Sequence, residues 1–299
     1  MVEHVQLKPK SKGRLFWEKY FGKTKGDNIF HICNYLLFIF LAFICFYPFW
    51  HVLKKSLITR VDGNEILDFS AYSKVLFEEG LLESFILTVG VVIVFVLLHV
   101  FLTMLSAYPL SRKNLKGRKF ILLFLIITML FSGGLIPYYL LIQELNLNDN
   151  LLVYIIPGLI SPFNIIIARN FISGIPNEVF ESAKMDGANE VQILFKIVFP
   201  LSGAIVATIA LWAGVGKWND WTTGLYYISD SNKYLIQNFL REILLTASSG
   251  QGNVDADIAM MGEQIKMAAI IVSIVPILVI YPFVQKFFVK GVLLGSVKS

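Results

Sequence analysis

Apolar residues in this chain do not alternate with polar ones. They gather into six runs, at about 31–53, 83–110, 119–142, 151–171, 201–221 and 265–288. A run of about 20 apolar residues matches a hydrocarbon core about 30 Å thick at a rise of 1.5 Å per residue, so each run reads as a membrane-spanning helix. The fourth contains Pro157 and Pro162, and such breaks are tolerated in a membrane where neighbouring helices satisfy the freed carbonyls. The pattern predicts the all-α class: a polytopic membrane protein with six transmembrane helices, in which a polar tail at 1–30 precedes a single transmembrane domain at 31–299. Between the first two runs, the polar stretch 54–82 carries the turn-like Asp62-Gly63-Asn64.

Composition agrees with a lipid solvent, since 16% of the residues are charged and 56% are hydrophobic, against about 25% charged in soluble domains. Lys and Arg in short loops stay on the cytoplasmic side. With both ends placed inside, the tail, the connector 111–119, the loop after the fourth run and the C-terminal tail hold 18 of the 26 basic residues, against 8 outside. Both termini are therefore expected in the cytoplasm. Basic charge thus reports topology, and the net +5 needs no nucleic-acid partner. The N-terminal tail is too long and hydrophilic for the start of a signal peptide and is expected to be retained. Cys33 and Cys45 lie together in the first run and define no disulfide framework. His4, His31, His51 and His99 are too scattered for a metal site, and no catalytic triad, paired-cysteine or zinc-protease pattern occurs. Gly22-Lys23-Thr24 imitates the end of a phosphate loop, but Trp17 stands where that motif needs its first glycine. No cofactor and no ATP site are expected on this chain. Nor is there an inverted repeat of apolar segments of the kind secondary transporters show.

One connector is unlike the rest. Residues 172–200 read ISGIPNEVFESAKMDGANEVQILFKIVFP. Pro176 suits a first helical turn, and Glu178 and Glu181 sit near its positive end. Val179, Phe180 and Ala183 share a face, and Gly187 stands where the chain must reverse with positive φ. Asn189 and Gln192 form a capping-box pattern, and Val191, Leu194, Phe195 and Val198 follow at i, i+3, i+4 and i+7. The expected structure is helix, glycine turn, helix, with two apolar stripes presented on the cytoplasmic side. Pattern alone leaves two readings open: a helix built to lie in another protein's groove, or a pair of amphipathic helices resting on lipid headgroups.

The letters themselves resemble a known signature. Glu181-Ser182-Ala183, Asp186-Gly187-Ala188, Ile197 and Phe199-Pro200 resemble the EAA motif of permease subunits of ATP-binding-cassette (ABC) importers, with Ser182 in place of Ala and Phe199 in place of Leu. Phe131-Ser132-Gly133-Gly134-Leu135-Ile136-Pro137 and Trp218-Asn219-Asp220-Trp221 are similar to stretches of maltose-type sugar permeases, and the similarity runs from about Tyr35 to the C-terminus. The resemblance implies the transmembrane domain of a type I importer. Such a chain works with a second permease subunit, two ATPase subunits and an extracellular solute-binding protein in the cytoplasmic membrane of a prokaryote, and carries an oligosaccharide. It also implies that residues 172–200 are the coupling loop. There Glu181 pairs with a basic residue of the ATPase, Ala183 allows close approach, Gly187 makes the turn, and Ser182, Lys184 and Asp186 surround it. The flexible element of such a bundle is expected around Gly133, Gly134 and Pro137. A permease of the same architecture for an amino acid or polyamine, and a polytopic membrane enzyme, are the alternatives.

Candidates for a solute pathway are His99, near the middle of the second run, Asn164 beside the Pro162 break, and Trp218, Asn219 and Asp220. Each has a plainer reading. His99 and Asn164 suit hydrogen bonds between helices. The tryptophans, Trp212 and Trp221 among them, suit the membrane interface, against the reading in which aromatic faces stack on sugar rings while Asn219 and Asp220 take hydroxyls. The polar stretch 222–264 is expected outside, facing the binding protein or plain solvent.

Overall fold

A computed structural model of the chain describes residues 25–61, 64–78, 81–246 and 256–296. The chain divides into two compact units, Met1–Lys55 and Ser56–Ser299. The first contains nearly all of α1 (Lys25–Leu57), a 33-residue helix with Pro48 inside it. Most of its side chains are apolar and exposed, Phe38, Phe40, Phe43 and Phe46 among them, as befits a helix suited to lipid. α1 begins at Lys25, so the last residues of the expected polar tail are helical. Residues 1–24, with Gly22-Lys23-Thr24, lie outside the described residues.

The second unit is a helical bundle. An antiparallel hairpin opens it, β1 (Ile58–Val61) and β2 (Asn64–Leu67), in register from Ile58 opposite Leu67 to Val61 opposite Asn64. This small sheet was not expected from the sequence. The turn expected at Asp62-Gly63 falls outside the described residues. α2 (Leu81–Ser111) follows, 31 residues in one piece although Pro109 lies in its last turn. α3 (Arg118–Leu130) and α4 (Leu135–Glu144) form a pair bent by 113°. Between them the chain is extended at Phe131 and takes φ 87° at Gly134, so the helix is broken at Gly133 and Gly134, while Pro137 lies inside α4. Short turns at Leu151–Tyr154 and Ile156–Gly158 lead to α5 (Pro162–Ser173), and the two halves of this pair meet at 46°. α6 (Asn177–Met185) and a second loop helix precede α7 (Gly203–Trp218). α8 (Ile236–Thr246) and α9 (Ala256–Ser296) complete the unit. Among the described residues three helices are long and apolar enough to cross a membrane singly, and up to six spans result if each bent pair is one span.

Polar caps hold the breaks together. Asn150 accepts from the Leu152 amide and Ser161 from the Asn164 amide, each satisfying a donor that a helix start leaves open. α2 is the central post. It packs on α5 and α7 along most of its length, and at its far end Thr88 Oγ1 accepts from the Ile236 amide at 2.8 Å.

Two expectations need correction. Residues 222–264 are not a plain polar stretch. Leu235 and Ile236 are fully buried, and Phe239, Leu240 and Ile243 of α8 pack on the same core as Ala268 and Ala269 of α9. Ile236, Phe239, Leu240 and Ile243 are spaced as one helical face, a short period hidden among polar neighbours. The flexible core expected at 247–253 lies outside the described residues. Trp218 is also misread as an interfacial ring or a sugar platform. Its indole is buried, packs edge-on against Phe85 at 5.7 Å and donates from Nε1 to the Ser273 carbonyl at 3.1 Å. α7 turns this residue inward because Trp218 falls on the face that α9 covers, while Trp212 and Trp221 stay exposed.

Replacing Trp218 with alanine is expected to destabilise the bundle by about 3–5 kcal/mol. Trp218→Phe, which keeps most of the packing and loses one buried hydrogen bond, should cost about 1–3 kcal/mol. Thermal unfolding of the detergent-solubilised protein reads both, and equal melting temperatures for the wild type and Trp218→Ala would refute the buried placement.

Candidate functional site

The loop between α5 and α7 is built as a stiff corner. α5 ends at Ser173 with Gly174 as its cap, and Pro176, extended at φ −55° and ψ 138°, starts α6. At the other end the Gly187 amide donates to the Lys184 carbonyl and the Ala188 amide to the Ala183 carbonyl. These two bonds are the Schellman closure, and it places Gly187 at φ 81°, where a β-carbon is strained. Asn189 then caps the second helix with a complete capping box: the Gln192 amide donates to Asn189 Oδ1 at 2.8 Å and the Asn189 amide to Gln192 Oε1 at 3.0 Å.

The apolar faces of the loop do not look outward as expected. Phe180 and Ala183 are buried in one core with Met104, Ala107, Ile172 and Ile193, so Ala183 makes its close approach within its own chain. On the second helix the buried residues are Ile193, Leu194 and Val198, while Val191 and Phe195 are exposed. The cause is a π-helical turn at Leu194–Val198, which adds a residue to the turn and rotates the stripe away from the i, i+4 pattern. What α6 presents outward is polar: Glu181, Ser182, Lys184 and Asp186 are exposed, with Met185 as the one large apolar side chain among them. No ion-pair partner of Glu181 occurs among the described residues. A cavity of about 860 Å³ opens beside it, lined by Arg112, Arg118, Arg169, Asn177, Glu178 and Glu181 among others.

Below α6 the last turn of α2 gathers the surrounding elements. The Leu110 carbonyl, which the helix end leaves without an internal donor, accepts from Arg118 Nε at 2.8 Å and Arg169 Nε at 3.3 Å. Arg112 lays its guanidinium over the Phe180 ring, 3.3 Å from the centroid, and reaches the Tyr108 hydroxyl at 3.5 Å. Tyr108 donates to Glu190, which Lys184 also holds at 2.7 Å. The Lys184 ammonium first and the Tyr108 hydroxyl second keep the Glu190 carboxyl below its ordinary pKa.

The geometry of this corner and of the bundle coincides with a family match. Residues 91–294 match the family described as binding-protein-dependent transport system inner membrane component. The chain belongs to that family. It is 40% identical over 288 residues to the polygalacturonan/rhamnogalacturonan transport system permease protein YtcP of Bacillus subtilis (strain 168), covering 91% of this chain and 99% of that one. Against Protein LplC of the same organism the identity is 38%, covering 92% and 97%. Among solved structures, a bacterial ABC transporter involved in the import of the acidic polysaccharide alginate contains a similar chain. The TM-score is 0.79 and the identity 30%, with 89% of this chain and 98% of that one covered. Members of this family are transport components, so the expected membrane permease is the established class.

In this permease fold the residues singled out for a solute pathway all make contacts within the chain. His99 and Asn164 are both buried and face each other: Asn164 Nδ2 lies 2.8 Å from His99 Nε2, and His99 Nδ1 lies 3.3 Å from the Gly158 carbonyl. Asn164 donating to Nε2 leaves Nδ1 as the protonated nitrogen that donates to Gly158. That is a neutral imidazole tying α2 to the bent α5 pair. Asn219 donates from Nδ2 to the Val215 carbonyl of its own helix at 2.8 Å. Asp220 accepts from the Thr223 amide, the hydroxyls of Thr222 and Thr223, and Lys217 Nζ at 2.8 Å. Its carboxylate, one residue before the N-cap Trp221, accepts from the first turn of the short helix Thr222–Tyr227. Reading the sequence missed Arg112, Tyr108 and Lys217. In sequence Arg112 is one charge of a basic connector, and its position two residues past the end of a long apolar run is the available signal.

Gly187→Val should strain the turn by about 1–2 kcal/mol or more, because a branched residue is forced to positive φ. Binding-protein-dependent uptake is expected to fall while membrane insertion stays normal. Uptake at the wild-type rate would show that the turn tolerates a side chain.

Proposed function

We propose that this chain is one of two permease subunits of an ABC importer that brings an oligosaccharide, a fragment of a larger polysaccharide, across the cytoplasmic membrane. The observation that carries the reading is the family match combined with names of relatives that refer to polygalacturonan, rhamnogalacturonan and alginate. ATP is hydrolysed on partner subunits, and an extracellular binding protein delivers the solute. The basic-residue count supports an orientation with both termini and the loop 172–200 in the cytoplasm.

In this orientation α6 is the coupling helix. Its buried side holds it to its own bundle, and its exposed side offers Glu181, without an ion-pair partner among the described residues, to a basic residue of the ATPase. Ser182, Lys184 and Asp186 frame that contact, and the turn at Gly187 fixes the angle at which it is offered. ATP-driven closure of the two ATPase subunits draws the coupling helices together and switches the permease pair from inward-facing to outward-facing.

The test is reconstitution with the second permease, the ATPase and the binding protein. Binding-protein-dependent ATP hydrolysis stimulated by oligosaccharides is expected, and stimulation by an amino acid or polyamine in place of a sugar would overturn the substrate class. Glu181→Lys should weaken co-purification of the ATPase. A desolvated pair at an interface is worth about 2–5 kcal/mol when one partner is removed, which corresponds to about thirtyfold or more in affinity. A reversed charge on the ATPase side should restore part of the loss. Full transport by Glu181→Lys alone would sink the assignment of α6.

A further inference from the structure

α6 is joined to the chain at both ends by turns: Gly174 to Pro176 on one side, the Gly187 reversal on the other. Each turn reverses or redirects the chain, so a displacement along the helix is not carried straight on through the covalent connections. The lateral connection is different in kind. Phe180, buried on the inner face of α6, lies 3.3 Å from the guanidinium carbon of Arg112, whose other neighbour is the Tyr108 ring at 5.1 Å. A cation stacked on an aromatic face and partly desolvated is held by the ring quadrupole in a definite plane. Tyr108 adds a second strap, its hydroxyl donating to Glu190 beyond the Gly187 turn. Both straps lead to the same place, the last turn of α2.

α2 is also the element suited to carry motion. Its 31 residues form one unbroken helix, whereas α3 with α4, the α5 pair and the segment entering α7 bend by 113°, 46° and 80°. At about 1.5 Å per residue α2 is about 46 Å long. It reaches from the loop to the Thr88 bond with the Ile236 amide, passing on the way the His99 bonds to Asn164 and Gly158.

Resting on the assignment of α6 as the coupling helix, we propose that Arg112 is a positioning residue for coupling. By stacking on Phe180 it makes α6 and α2 move as one body, so that displacement of the loop enters the bundle through α2 instead of being lost in the Gly174 and Gly187 turns. Arg112 touches neither solute nor nucleotide in this role. Its loss loosens the transmission and leaves hydrolysis running with fewer solutes moved.

The complete importer, with both permeases, ATPase and binding protein in liposomes, is assayed with Arg112→Ala, Arg112→Lys, Phe180→Leu and the Arg112→Ala/Phe180→Leu pair. The readout is ATP hydrolysed per oligosaccharide imported, alongside ATPase co-purification. Arg112→Ala and Phe180→Leu should each raise the ratio about tenfold, the order expected for losing one desolvated cation–π contact. The double variant should be no worse than the single ones, since all three remove the same contact. Arg112→Lys, which keeps the charge and loses the planar stack, should lie between. Transport and hydrolysis falling in step at an unchanged ratio would reduce Arg112 to a stabilising residue and overturn the proposal. Multiplying effects in the double variant would overturn it as well. So would loss of ATPase co-purification in Arg112→Ala but not in Phe180→Leu, which would place Arg112 on the ATPase itself. Failure of the underlying assignment reads differently: Glu181→Lys would then leave co-purification intact whatever the Arg112 ratio does.

Discussion

In a hydrocarbon solvent a backbone amide or carbonyl has no water to turn to, and each one left open costs several kcal/mol. Every interruption of a helix in this bundle must therefore come with its own set of partners. Side chains meet that demand at several of the breaks. Asn150 and Ser161 cap the two halves of the α5 pair, Asp220 accepts from the first turn of the helix after α7, and two arginines close the Leu110 carbonyl at the end of α2. Polar residues at membrane depth are consequently concentrated at corners, and most are consumed by the corners themselves.

This explains why the polar residues picked out for solute contact are in structural use. His99, Asn164 and Asp220 have the chemistry of a binding site, and each also makes hydrogen bonds within the chain. Lys217 and Asp220 show the electrostatic side of the same constraint. Both side chains are nearly buried, at 10% and 13% exposure, and a charge removed from water is retained only when a partner and further hydrogen bonds come with it. Here the partner is three residues away, Thr222 and Thr223 supply the remaining donors to Asp220, and Lys217 spends its charge on the Phe95 ring at 4.7 Å.

Much of the architecture was legible in the sequence because lipid simplifies the code. Long apolar runs located α1, α2 and α9, the Pro and Gly positions located the breaks, and the Gly187 turn and the Asn189 capping box followed from local rules that need no tertiary information. Legibility failed where a face had to be chosen. A helix apolar on all sides gives no moment to show which residues turn inward, so the burial of Trp218 was invisible. The stripe at 191–198 was drawn for a regular helix, and one π turn displaced it. α8 was hidden because its 11 residues, set in a longer polar stretch, are fewer than a membrane span needs.

The corner beneath α6 shows how much of function depends on such faces. The motif letters 181–200 were readable as a family signature, yet they specify only half of the contact. The loop becomes mechanically useful only if its inner face is fixed to something stiff, and the residues that do this, Tyr108 and Arg112, lie about 70 positions earlier in sequence. Each of them is ordinary in isolation: a tyrosine at the end of an apolar run and an arginine in a basic connector. Their contacts exist only because α2 ends where α6 begins to pack, which makes the end of one span the anchor for the inner face of the loop.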